Sequence, residues 1–227
     1  MIKIFFMKQI ILTICAAGIL LFSCNEPGEK SAETKTDTAT TKMVEQPAAK
    51  ETTPAVIPDS ATIAKAWQDF ATPGAMHKWM EKTNGTWEGE VSQWMDPAAP
   101  PTKAKATNVQ STVLGGRYVV GKFNSMMMGQ PFSGMSTMGY DNAKKIFVSS
   151  WIDDMGTGIV RMTGTYDETT KTLNMKGFQT DALTGKDSDM REEMRMIDDD
   201  TYIMTMFGTG MDGKEMKFME GTFKRKK

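Results

Sequence analysis

The stretch 131–154, PFSGMSTMGYDNAKKIFVSSWIDD, constrains the fold more than any other part of this chain. It reads as two strands about a short polar turn. Phe132 to Tyr140 is rich in Met, Ser and Thr around Gly134 and Gly139, and Lys145 to Ile152 carries Ile146, Phe147, Val148 and Trp151. Between them stands Asp141-Asn142-Ala143-Lys144, whose Asp and Asn bond their own backbone and tolerate unusual dihedrals. The unit recurs to the C-terminus. Strands are predicted over 86–95, 104–114, 117–125, 132–140, 145–152, 157–166, 172–180, 188–197, 201–208 and 215–224. The breaks carry Asp96-Pro97, Gly115-Gly116, Gly129-Gln130-Pro131, Asp167-Glu168, Thr184-Gly185, Asp198-Asp199-Asp200 and Asp212-Gly213. About ten evenly spaced strands joined in sequence predict an all-β domain, an antiparallel up-and-down barrel whose closure removes the edges of an open sheet.

One or two short helices are expected before the strands. Ser60 stands as a cap for Ile63, Ala66-Trp67 and Phe70, which share one face. Thr72-Pro73 has the order of an N-cap and first helical residue, Met76, Trp79 and Met80 form the next stripe, and Asn84-Gly85 stops it. Both are expected as lids on the barrel, which gives a folded domain over 60–227.

Residues 1–23 read as a leader. Lys3 and Lys8 precede an apolar run, Ile10 to Phe22, too short for the roughly 20 residues that cross a bilayer but suited to a signal peptide. Leu21-Phe22-Ser23-Cys24 resembles the lipobox of bacterial lipoproteins, which implies cleavage before Cys24 and acylation of that residue. Several acyl chains give stable anchoring that one chain does not. With Cys15 in the leader and Cys24 lipidated, the mature chain is expected to hold no thiol and no disulfide. Residues 24–59 are Thr, Ala, Glu, Lys and Pro without an aromatic residue, the composition of a disordered tether of roughly 33 Å mean span. The expected location is the bacterial cell envelope, lipid-anchored on its periplasmic face or at the surface.

All of the 22 methionines except Met1, Met7 and Met43 fall in the folded region. Met194 and Met196 share a strand face, as do Met204 and Met206, while Met135 and Met138 take opposite faces. Core filling accounts for such residues, and so does the wall of an adaptable apolar cavity. A thioether site for Cu(I) would centre on Met126-Met127-Met128, a run of which at most two can point one way from a strand. An oxidant-scavenging role is a further reading of the excess.

Signs of catalysis are sparse. His77 is the single histidine and pairs at i+4 with Glu81 on the second helix, the pattern of a surface or lid contact. There is no nucleophile elbow, phosphate loop or dinucleotide fingerprint. Acidic pairs occur at Asp153-Asp154, Glu192-Glu193 and Asp198 to Asp200, mostly at predicted turns. Basic and acidic residues nearly balance, so no nucleic-acid surface is implied.

Gly85-Thr86-Trp87, Leu114-Gly115-Gly116-Arg117, Pro131-Phe132-Ser133-Gly134, Gly139-Tyr140-Asp141, Trp151 with Asp153, Thr184-Gly185 and Asp212-Gly213-Lys214-Glu215 occur in an order that resembles the bacterial domain-of-unknown-function family 1579, over about Gly74 to Arg225. The resemblance implies a lipocalin-like, calycin-type barrel and no established activity, substrate, metal or cofactor. Trp87, Arg117, Tyr140 and Trp151 are the candidate ligand-binding residues, because they combine aromatic surface with a few polar handles. As core plugs and an ion-pair partner the same residues would need no ligand. The leading expectation is a membrane-anchored, non-enzymatic lipoprotein that binds a small apolar molecule. The alternatives are an envelope structural or interaction lipoprotein with a filled barrel, a Met-rich copper-binding protein, and a carboxylate-dependent hydrolase.

Overall fold

Alternation and turn chemistry carry the chain into a closed ring of ten strands. The computed structural model describes residues 57–210 and 212–227. The leader, Cys24 and the tether up to residue 56 lie outside the described residues. Two helices come first, α1 (Ser60–Ala71) and α2 (Ala75–Glu81). Ten strands follow: β1 (Gly85–Gln93), β2 (Thr102–Val113), β3 (Tyr118–Met127), β4 (Gln130–Asp141), β5 (Ile146–Asp153), β6 (Val160–Asp167), β7 (Thr172–Thr180), β8 (Asp187–Asp198), β9 (Thr201–Thr209) and β10 (Glu215–Arg225). Each pairs antiparallel with its neighbours in sequence, and β1 closes on β10. This is the antiparallel up-and-down barrel expected from the strand count.

The turns show why the acidic residues sit where they do. Asp141 Oδ1 accepts from the N–H groups of Ala143 and Lys144, each at 2.9 Å, and Asp167 Oδ1 from Thr169 and Thr170. Asp181 Oδ1 does the same for Leu183 and Thr184. Each carboxylate fixes its own reversal, as Asx turns do. The β3–β4 connection is tighter than expected. Met128 and Gly129 both take positive φ, 49° and 76°, so two residues make the turn and the strands run on through Met127 and Gln130. Of the methionine triplet, Met126 and Met128 are exposed and Met127 is half-buried against the core.

The helix starts differ from the expected ones. Asp59, not Ser60, caps α1, its Oδ1 accepting from the Thr62 N–H at 2.9 Å. Gly74, not Thr72, caps α2. The reason is that Thr72 is still engaged by the first helix: its N–H and hydroxyl both donate to the carbonyl of Gln68, at 3.1 and 2.7 Å. The two helices also differ in role. On α2, His77 and Met80 are buried, and Met76 and Trp79 pack on the core. No residue of α1 is buried, and its Trp67 is 66% exposed. What holds α1 is Asn142, whose side-chain amide lies within 3.1 Å of the carbonyls of Asp69, Phe70 and Thr72.

Two glycines let β6 and β7 approach closely. A Cβ on Gly177 would overlap the carbonyl of Arg161, and one on Gly164 the carbonyl of Asn174. The obstacle in each case is backbone of the paired strand, which cannot swing away. Gly177→Ala is therefore expected to lower unfolding stability by about 1–3 kcal/mol, the usual range for overpacking. A urea titration measures this, and a midpoint equal to that of the wild type would contradict it.

Candidate functional site

Strand parity divides the barrel into a solvated outside and an inside with three zones. The end beneath α2 is sealed by aromatic side chains. Trp79 packs against Tyr166 and Phe147 with ring centroids 4.6 and 5.4 Å apart, and Phe147 meets Tyr140 at 5.0 Å. His77 stands edge-on to Tyr140 at 5.9 Å, and its Nδ1 accepts from the Gly74 N–H at 3.0 Å. Burial, then the positive charge of Arg117, hold this imidazole below its ordinary pKa. His77 is thus a buried brace within the lid, bonded to Gly74, which keeps the lid half of the expected surface-or-lid contact and drops the surface half.

A second aromatic line runs from β9, β10 and β1 round to β3, β4 and β5. Trp87 meets Tyr202 at 4.8 Å, Tyr202 stacks on Phe223 at 4.9 Å, and Phe123 continues to Phe132 and Trp151. Trp87 and Phe223 are fully buried. The Trp87 indole N–H donates to the carbonyl of Thr83 at 2.8 Å, and Arg225 lies over its ring at 4.2 Å. A cleft of about 200 Å³ between α2 and the β6–β7 and β8–β9 turns reaches Trp79, Tyr166 and Met196 beside the lid.

Between these walls lies a polar centre. Asn108 on β2 donates to Tyr202 Oη at 3.2 Å across the barrel. Gly121, between Gln110 and Ser136 in register, leaves room for the Ser136 hydroxyl, which a Cβ would approach to 2.5 Å. On β8, Met190, Glu192, Met194 and Met196 share the inner face while Arg191 and Glu193 pair outside it. Glu192 lies opposite Met175 on β7 and Met206 on β9. Among the described residues no group hydrogen-bonds to its carboxyl, yet no sealed unpartnered side-chain atom occurs among them either. The Glu192 oxygens therefore border open space inside the barrel. Burial alone pushes this carboxyl up to about 7, and burial also raises the Tyr202 phenol.

The four sequence-predicted ligand residues do not converge. Trp87 is sealed in the core, and Tyr140 is half-buried under α2. Trp151 is half-buried on the inner face, where its indole N–H donates to Asp153 Oδ2 at 2.8 Å. Arg117 is exposed at the β2–β3 turn, its guanidinium donating to the carbonyl of Leu114 at 3.1 Å. In the sequence Glu192 stands out only as one member of an acidic pair, and Asn108 and Gln110 not at all. Glu192 had a signal: it sits at ±2 from Met190 and Met194, an acid on a face otherwise made of methionine.

Because Glu192 keeps its proton in the fold up to about 7, whereas an unfolded chain releases it near 4.5, the fold is favoured below 4.5 and loses that advantage as pH rises through 7. Glu192→Gln is expected to leave stability near pH 4 almost unchanged and to raise it at pH 8 by about 1–3 kcal/mol. Urea midpoints at the two pH values check this. An equal effect at both would show that Glu192 does not titrate in this way.

Comparison with solved structures finds the same barrel in the Rv2717c protein of M. tuberculosis. That match has a TM-score of 0.54 and 13% identity, over 69% of this chain and all of that one. The S-type phycobiliprotein lyase CPES of Guillardia theta matches with a TM-score of 0.47 and 10% identity, over 75% of this chain and 99% of that one. At 13% identity the likeness to the mycobacterial protein concerns the fold alone. No curated protein matches the sequence. The model of the DUF1579 family, described as a protein of unknown function, matches residues 72–225, which span α2 and all ten strands, so the chain belongs to that family.

Proposed function

We propose that this protein is a lipid-anchored carrier or sensor of the bacterial envelope that holds a small, largely apolar molecule inside its barrel. The observation that carries the reading is the unsealed interior. Ser136, Met138, Ser149, Glu192, Met204 and Met206 lie on the inner face yet are only half-buried. A core made solely for stability would close over such groups, since interiors pack to near-crystalline density. The wall is methionine and aromatic surface with a few polar groups, the usual lining of a small-molecule site, and methionine adapts to irregular shapes. Exposed apolar side chains lie at loops and turns of the end away from α2: Met95, Met128, Met155, Ile159 and Leu183. They offer an apolar ligand a wet-to-dry path.

A second reading, an interaction lipoprotein, draws support from the unpacked apolar face of α1, where Ile63, Trp67 and Phe70 are all exposed.

Prodan, a small neutral naphthalene probe, is expected to bind the full chain saturably with a blue-shifted emission. Ser136→Phe, which fills the polar centre, is expected to weaken that binding at least tenfold. Unsaturable emission, or equal binding by Ser136→Phe, would overturn the carrier reading. The anchor is tested separately. Cys24→Ser is expected to move the protein from the membrane to the soluble fraction of envelope preparations, and retention in the membrane would refute acylation at Cys24.

A further inference from the structure

We propose that the occupant of the barrel carries a basic nitrogen, as an alkyl- or arylalkylammonium ion seated on Glu192 with its apolar part against the methionines. This rests on the carrier reading above and specifies the charge of its ligand. Glu192 stands in mid-strand, between Met190 and Met194 along β8 and beside Met175 and Met206 across it. None of these offers a positive charge or an N–H. The basic residues of the strand face outward: Arg191 engages Glu193 and Glu215 and lies over Phe207. Arg225 is committed at the lid end, to Asp200, to the carbonyls of Lys82, Asn84 and Asp199, and to the ring of Trp87.

An unpaired carboxyl in such surroundings favours one class of guest. A fatty-acid carboxylate would bring a second negative charge into a low-dielectric space where, among the described residues, no cation meets it. An ammonium supplies the missing partner, and thioether and aromatic faces suit the alkyl or aryl part. The remaining polar groups are arranged for the same guest. Tyr202 Oη accepts from Asn108 and retains its own proton for donation, while the Ser136 hydroxyl and the Gln110 amide complete a neutral, hydrogen-bonding rim.

Binding of such a guest depends on pH through Glu192. β7 faces it with Leu173, Met175 and Gly177, which do not titrate, and β9 with Met204, Met206 and the phenol of Tyr202. Asp153, on the inner face of β5, is engaged by the Trp151 indole and the Met155 N–H. Since the lone carboxyl ionises only around neutrality while an alkylamine stays protonated to about pH 10, ammonium affinity rises between pH 5 and pH 8.

The test is a titration of the full chain, with 13C-methyl-labelled methionine, by hexylamine and separately by hexan-1-ol. At pH 8 hexylamine is expected to shift the methyls of Met175, Met190, Met194 and Met206 saturably, with at least tenfold tighter binding than the alcohol. That preference is expected to vanish at pH 5 and in Glu192→Gln. Glu192→Met, which removes the buried charge and suits the surrounding thioethers, serves if the glutamine variant does not fold. Binding of hexanol with no preference for the amine, or a preference that survives both variants, would overturn the inference and leave the carrier reading standing. Failure of both compounds to shift any inner methyl would overturn the two together.

Discussion

The barrel depends on the seam where its first strand meets its last. β1 and β10 are separated by the whole domain in sequence, so their pairing is the most entropically demanding contact in the fold. One side chain ties the seam to its surroundings. Arg225 lies over Trp87, donates to the Asp200 carboxylate and reaches the carbonyls of Lys82, Asn84 and Asp199. Trp87 in turn donates to Thr83, whose hydroxyl donates to the carbonyl of Met80 on α2 at 2.7 Å. A single guanidinium thus joins the closing strand, the opening strand, the lid helix and the β8–β9 turn. Arg suits this role better than Lys because its planar fork serves several acceptors while its face covers an indole.

Closure at this seam accounts for the contrast between the lid end and the middle of the barrel. The lid end is dense with fully buried aromatic residues: Trp87 and Phe223 at the seam, Phe147 beneath α2. The middle is left to methionine, serine and glycine, whose small or flexible side chains fill space loosely. The arrangement separates two demands. The rigid, sealed lid end supplies stability, and an adaptable centre tolerates an ionisable group at Glu192. The proposed site occupies the one zone where tight packing is not what holds the barrel shut.

Most of the architecture was legible because its signals are local. Asp141, Asp167 and Asp181 mark their turns through bonds to N–H groups two and three residues on, a chemistry written in adjacent positions. The Met194/Met196 and Met204/Met206 faces follow from period two. The interior centre was hidden because it is assembled from β2, β4, β8 and β9, and its polar members look like ordinary strand residues. Glu192 is adjacent to Glu193, and the pair resembles the acidic turns elsewhere in the chain. Only the register separates them, with Glu193 outside beside Arg191 and Glu192 inside beside Met175 and Met206. The starts of α1 and α2 were misplaced for a similar reason, since Ser60 and Thr72 have cap chemistry but Asp59 and Gly74 hold the cap geometry.

Glu192 is the residue that a purely structural account of this barrel explains least. A methionine there would match its neighbours in size and polarity and would avoid the cost of burying an ionisable group, which at neutral pH is comparable to a sizeable part of a domain's net stability of about 5–15 kcal/mol. The carboxyl does not compensate through an ion pair or a hydrogen bond within the described residues, and it fixes no turn. Its position gives it two properties that methionine lacks, an acceptor and a titratable charge, both on the inner face of the barrel. Binding sites have this logic, in which stability is given up locally so that a guest can supply the missing partner. The methionine wall fits the same logic, because an adaptable apolar surface around a single fixed polar contact orients a guest by its head while leaving the shape of its tail free.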